Sequence, residues 1–173
     1  MITAGEASQV ICQWLGDGDN SIGGGKVLLS PRALNSAMIS HEWSHTELYQ
    51  RVGGFWGWRG IPNWFDEGVA VLVSEDPRHG EAIWSTINKE GIVPPTLEDL
   101  SSHRKWIQAV NKYRDAEINP NNLAVVYTTA GHEVREWYRT AGQDGLLEVV
   151  QQVKAASEFE DVYATVAGSE GCH

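Results

Sequence analysis

The sequence predicts an α+β fold: a small β-sheet region (residues 1–31), a mainly helical body (residues 32–168) and a short tail (169–173). The run KVLLS before Pro31 is typical of a strand. Downstream, apolar residues recur at helical spacing in one segment after another. Glycines and prolines separate these segments, and no linker or repeat divides the 173 residues, so we expect one domain.

The N-terminal region has the least regular pattern. Its apolar run at residues 10–15 suits either a strand or a helix, and the glycine-rich stretch after it predicts a turn. Lys26 to Ser30 predicts a strand that Pro31 ends. Cys12 and Cys172 lie near opposite ends without CxxC spacing, which leaves two possibilities, free thiols or a bridge between the termini.

The helical body begins with its most regular segment, Ala33 to Arg51, which the pair Gly53-Gly54 ends. A loop rich in glycine and tryptophan leads to Pro62, which suits the first turn of a second helix through about Leu72. Helical patterns continue over residues 80–91, 103–115, 123–141, 144–156 and 159–167. Gly142 is the expected C-cap of the 123–141 helix.

The charge balance argues against two classes of partner. The 13 Lys and Arg residues against 23 Asp and Glu give a net charge of -10, which repels nucleic-acid phosphates and anionic lipid headgroups. No apolar stretch approaches the ~18 to 20 residues of a membrane span, and the N-terminus lacks the basic segment of a secretory signal. We expect a soluble monomer and leave its compartment open.

Residues 41–45 read His-Glu-Trp-Ser-His within the most regular helix. The i,i+4 spacing puts His41 and His45 on one face, where both imidazoles can reach a single metal ion. Glu42 lies about 100° round the helix from His41, a position that suits a base taking a proton from water. A catalytic zinc site uses three protein ligands and keeps one position open, so a third ligand is expected elsewhere.

Two adjacent carboxylates, Asp66 and Glu67, lie in the next helix within the segment IPNWFDEGVA. An HExxH helix followed by a helix with WxxEGxA resembles the gluzincin metallopeptidases, and Trp64, Glu67 and Ala70 stand at those positions here. The resemblance implies a compact zincin-like domain over residues 1–173 that hydrolyses peptide bonds in peptide or protein substrates.

The resemblance also implies the roles of individual residues. One Zn²⁺ per chain would be bound by His41, His45 and Glu67, with Glu42 as general base. Asp66 is the competing carboxylate, or else the hydrogen-bond acceptor that a ligating histidine requires. Tyr127, in a later helix, corresponds to a tyrosine that stabilises the tetrahedral intermediate in the aminopeptidase branch. No GxMEN-like segment precedes the HExxH helix, so an endopeptidase is favoured over an exopeptidase.

Alternatives remain open for the function. The chain is either an enzyme or a non-catalytic zinc-binding module for protein interactions, and it could be a proteolytic unit that lacks a partner domain or pro-segment. The intact Glu42 favours the enzyme, because a structural site needs no base. Tyr127 also suits an ordinary packed helix.

The remaining aromatic and metal-ligating residues have simpler interpretations. We expect Trp43 and Trp64 to pack the helix pair, and Trp56 and Trp58 to be exposed in their loop, where they would wall a substrate cleft. His132 starts an incomplete HExx pair and is expected at the surface. The tail residues Cys172 and His173 are expected in a disordered terminus rather than on the metal.

Overall fold

The computed structural model describes residues 20–22, 26–28 and 34–168. Two short strands, β1 (Asn20–Ile22) and β2 (Lys26–Leu28), pair antiparallel with Ser21 opposite Val27. The α-helices of the described residues are α1 (Ser36–Arg51), α2 (Phe55–Trp58), α3 (Asn63–Ser74), α4 (Glu81–Lys89), α5 (His103–Lys112), α6 (Val125–Lys154) and α7 (Phe159–Gly168). Short 3-10 turns occupy Pro77–His79 and Glu98–Leu100.

The predicted α+β class is wrong, because the described structure is helical. β1 and β2 form only a two-stranded ribbon of three residues each, which lies against α1. Such a ribbon buries too little surface to form a sheet layer, for which three or more strands are needed. The apolar run after Lys26 indicates a local preference for extended backbone. Whether such a strand belongs to a larger sheet depends on its partner strands, which the run itself does not reveal. The rest of the predicted sheet region lies outside the described residues.

The core is built around α3, which packs against α1 on one side and α6 on the other. Phe65 is fully buried and Trp64 is 5% exposed. Trp64 was predicted to pack the pair α1 and α3, but its ring contacts are with Phe65 and with Phe159 and Tyr163 of α7. Both rings lie in an aromatic cluster completed by Trp137, Phe159 and Tyr163. Burying each such side chain contributes roughly 1.5–3 kcal/mol, so this cluster fixes the position of α3.

Glycines allow α3 and α6 to approach closely. A Cβ atom on Gly68 would lie 2.4 Å from Val134 Cγ2 and 2.5 Å from the carbonyl oxygen of Ala130. A Cβ atom on Gly131 would lie 2.3 Å from Val71 Cγ1. The two helices therefore cross at a distance that no larger residue at these positions permits.

Local signals explain where the main helices end. The Asn35 side chain accepts a hydrogen bond from the Met38 backbone N–H at 3.0 Å, which caps α1, and α1 ends before Gly53 and Gly54, whose φ angles are +90° and +80°. α6 leaves helical geometry at Gly142, the predicted C-cap, where φ is +63°, and then continues to Lys154. Among the described residues, no helix combines the length and hydropathy needed to cross a membrane.

Candidate metal centre

The centre forms where α1 packs against α3. Its α1 residues are His41, Glu42 and His45, and its α3 residues are Asp66 and Glu67. The i,i+4 spacing brings the two imidazoles of α1 edge to face, with ring centroids 4.9 Å apart. The first turn of α3 then presents its two carboxylates to these rings.

Three ligand atoms converge at one point. Glu67 Oε2 lies 3.4 Å from His41 Nε2 and 3.6 Å from His45 Nε2, and the ligand atoms of the three residues lie within 4.8 Å of one another. Zinc bonds of about 2.0–2.1 Å in a tetrahedron put neighbouring ligand atoms roughly 3.3 Å apart. The two distances from Glu67 Oε2 are close to this value, so the three residues are candidate ligands for one zinc ion.

Glu67 Oε2 is also buried and has no hydrogen-bond partner within the described chain. A buried carboxylate oxygen without a partner costs free energy, so the folded protein favours a cation at this position. The donor set of two imidazole nitrogens and one carboxylate oxygen is typical of a catalytic zinc ion.

Asp66 faces away from this point and contacts the other nitrogen of His45. Its Oδ1 lies 2.8 Å from His45 Nδ1, and its Oδ2 accepts a hydrogen bond from Trp58 Nε1 at 3.3 Å. An Nδ1–H donated to Asp66 leaves Nε2 as the nitrogen that faces Glu67. Of the two competing carboxylates, the structure thus places Glu67 among the ligand atoms and Asp66 behind His45.

This environment changes the pKa of His45 in the metal-free protein. Burial alone lowers the pKa, but the hydrogen bond and charge of Asp66, together with the charges of Glu67 and Glu42, raise it from 6.5 to about 9. The imidazole therefore carries a proton at neutral pH until a metal ion displaces it.

Glu42 is buried, with 7% of its surface exposed, and its charge acts on both His45 and Tyr127. The carboxylate is thus close to the centre but is not one of the three convergent ligands.

Tyr127 reaches the centre from the first turns of α6. Its ring lies 5.3 Å from the Trp106 ring and 5.7 Å from the His79 ring, between centroids. Burial and the charges of Glu67 and Glu42 raise the pKa of Tyr127 to about 12. The phenol therefore stays protonated at neutral pH and can donate a hydrogen bond.

His79 is a residue of this centre that the sequence analysis missed. It lies in the 3-10 turn Pro77–His79, where burial lowers its pKa and the charges of His41 and Glu67 act on it. Its Nδ1 is buried and, within the described chain, has no hydrogen-bond partner. No spacing signal links this lone histidine to the HExxH motif, so only the fold reveals it.

Several other aromatic and histidine residues differ from expectation. Trp43 is 53% exposed, so the prediction that it packs the helix pair is wrong. Trp58 is exposed, as predicted, but it lies in the short helix α2 rather than in a loop, and its Nε1 donates a hydrogen bond to Asp66. The side chain of Trp56 lies outside what the structure describes.

His132 stacks on Trp84 at 4.1 Å between centroids and lies 3.3 Å from Glu81 Oε1, so its described contacts are with α4 rather than with the centre. Glu81 and Glu136, which lie near it, are paired with Arg135 and Arg139 and form an exposed ion-pair network. Cys12, Cys172 and His173 lie outside the described residues.

Comparison with known proteins finds no relative of this chain. No protein-family model matches the chain, and no match is found among curated proteins or among solved structures. The gluzincin resemblance therefore rests on the motifs and on the geometry of the centre alone.

Proposed function

We propose that this chain is a zinc-dependent peptidase, with His41, His45 and Glu67 as the ligands of one Zn²⁺ and with peptides or proteins as substrates. The observation that carries the proposal is the convergence of these three ligand atoms at zinc-like spacing around Glu67 Oε2, which is buried and accepts no hydrogen bond from the described residues. By its sequence motifs the chain is an endopeptidase rather than an exopeptidase.

The residues around the centre supply the parts of a hydrolytic mechanism. A bound zinc ion supplies a Lewis acid that makes water more acidic and polarises a carbonyl group. Glu42 accepts the proton of the attacking water and returns it to the leaving amine nitrogen. Tyr127, protonated at neutral pH, donates its hydroxyl to the oxygen on which negative charge develops.

The main alternative is a zinc site that serves only as a structural or interaction module. Structural zinc sites are usually closed by four protein ligands, whereas three ligand atoms converge among the described residues. A structural site needs no general base, whereas a buried glutamate, Glu42, lies near enough for its charge to act on His45. Both features favour the enzyme.

Glu42→Gln tests this proposal most directly. The variant should keep one zinc per chain, measured by elemental analysis, and should lose activity on a peptide library by roughly 10²–10⁴-fold, because the amide cannot accept the proton. Removal of zinc with a chelator should abolish activity of the parent protein.

Glu47→Gln is the matched control, because Glu47 is an exposed glutamate on the same helix that pairs with Arg51. It should leave both zinc content and activity unchanged. Full activity of Glu42→Gln, or chelator-resistant cleavage by the parent, would overturn the proposal.

A further inference from the structure

Tyr127 has two aromatic neighbours that come from different parts of the chain. The Trp106 ring, on α5, lies 5.3 Å from the Tyr127 ring at an interplanar angle of 86°, and the His79 ring lies 5.7 Å from it at 40°. Trp106 is only 3% exposed and belongs to the core, so the fold fixes its position. His79 is half-buried and lies in the 3-10 turn Pro77–His79, which contacts α4 and α6. Tyr127 therefore packs against one ring from the core and one ring from a short turn.

The turn that carries His79 is held by a buried carboxylate. Asp76 is 6% exposed and caps the turn by accepting a hydrogen bond from the Arg78 backbone N–H at 2.8 Å. Arg78 Nε donates to both oxygens of this carboxylate, at 3.0 Å and 2.9 Å, and the His79 backbone N–H donates to the Asp76 carbonyl oxygen at 3.0 Å. Pro77 restricts φ at the first position of the turn. The backbone of His79 is thus a fixed support for its side chain.

The imidazole of His79 is not placed by a hydrogen bond at Nδ1. This nitrogen is buried and has no hydrogen-bond partner among the described residues, which costs free energy. Burial also lowers the pKa of His79, so the ring is uncharged at neutral pH. What the ring provides at this position is a contact face for Tyr127.

We infer that His79 is a positioning residue, whose ring acts together with Trp106 to hold the Tyr127 side chain in one orientation. A tyrosine side chain turns about two torsions and carries its hydroxyl at the far end, so small rotations displace the hydroxyl most. Misplacement of a reacting group by about 1 Å can cost roughly 10²-fold in rate. The catalytic consequence rests on the proposed peptidase function, whereas the effect of His79 on the orientation of Tyr127 does not.

Variants of the full, zinc-loaded chain separate ring packing from hydrogen bonding. His79→Ala removes the ring and should lower kcat by roughly 10-fold with little change in KM. His79→Phe keeps an aromatic ring without a nitrogen, so its kcat should stay within about twofold of the parent value. His132→Ala is the matched control, because His132 is also a half-buried histidine with an aromatic contact, the stack on Trp84, and it should leave kcat unchanged.

A double substitution tests whether His79 acts through Tyr127. In a Tyr127→Phe background, His79→Ala should lower kcat no further, because no hydroxyl remains to be positioned. A ring that only stabilised the fold would cause the same loss in both backgrounds.

NMR measures the ring contact without any activity. In the zinc-free full chain, nuclear Overhauser effects between the ring protons of Tyr127 and Trp106, assigned with the Tyr127→Phe variant, report how the Tyr127 ring is held. These effects should persist in His79→Phe and weaken several-fold in His79→Ala. Circular dichroism verifies folding, and His79→Val, with a smaller loss in the same direction, replaces His79→Ala if that variant does not fold.

The outcomes separate this inference from the proposed function. A parent protein that cleaves no peptide would refute the proposed function, and the NMR contacts would still decide whether His79 holds Tyr127. Equal losses of kcat in His79→Phe and His79→Ala would show that the imidazole itself acts on the substrate and would overturn the inference. Unchanged Tyr127–Trp106 contacts in His79→Ala would also overturn it.

Discussion

Removing zinc should make the stability of this protein depend on pH through His45. Its pKa in the folded, metal-free protein is about 9 against the ordinary 6.5, because the hydrogen bond and charge of Asp66 outweigh the effect of burial. Since the folded-state pKa is the higher one, the stabilisation is complete below pH 6.5 and is lost as pH rises through about 9. At about 1.4 kcal/mol per pH unit, the loss amounts to roughly 3 kcal/mol.

Urea unfolding of chelator-treated protein across this pH range measures the effect. The free energy of unfolding should fall by roughly 3 kcal/mol between pH 6.5 and pH 9.5. Asp66→Asn is the matched control, because the amide keeps an acceptor oxygen for His45 Nδ1 but carries no charge, and most of the pH dependence should disappear. A flat profile in the parent protein, or an unchanged slope in Asp66→Asn, would refute the role assigned to the His45–Asp66 pair.

The same proton links pH to zinc binding. Zinc must displace the proton from His45, so the apparent affinity should fall by about tenfold for each pH unit below 9. A competition titration against a zinc chelator of known pH dependence measures this slope. A slope near zero would show that His45 is not a ligand, even if the protein still binds the metal elsewhere.

Three further substitutions examine the surroundings of the centre. Tyr127→Phe should keep zinc and lower kcat by roughly 10²–10³-fold with little change in KM, measured by steady-state kinetics, and an unchanged kcat would remove Tyr127 from the mechanism. Trp58→Phe removes a hydrogen bond to Asp66 and should weaken zinc binding by about tenfold in the same competition assay. Gly68→Ala should lower the free energy of unfolding by roughly 1–3 kcal/mol, because its Cβ would meet Ala130 and Val134. Gly91→Ala is the control: a Cβ there meets nothing within 4 Å, but φ is +71°, so this variant measures the effect of backbone strain without crowding.

The sequence shows the metal-binding face of α1 because helical geometry is local. Spacing alone determines that His41 and His45 share a face and that Glu42 lies beside them. The choice between Asp66 and Glu67 depends on how α3 is rotated against α1, which is a property of the packed core. Neighbouring residues differ by about 100° round the helix, so a modest rotation would exchange their positions.

Other features were beyond prediction for similar reasons. Trp43 was expected to pack the helix pair, but its 53% exposure depends on how α1 is rotated against its neighbours, which is a property of the packed core. His79 joins the centre only because the 3-10 turn after α3 lies against α6. The error in fold class arose because the strand at Lys26–Leu28 is real but pairs with one partner only.

The glycine contacts connect the core to the chemistry of the centre. Gly68 follows the proposed ligand Glu67 on α3, and Gly131 lies about one turn after Tyr127 on α6. Because a Cβ atom on either glycine would lie within 2.5 Å of an atom of the other helix, only glycine permits the observed separation of α3 and α6 there. Any increase in that separation would move the Tyr127 hydroxyl away from the carboxylate whose charge now acts on it. Gly68 and Gly131 thus keep α3 and α6 close enough for the proposed ligand Glu67 and the proposed proton donor Tyr127 to act on the same atom. The HExxH motif alone could not provide this arrangement.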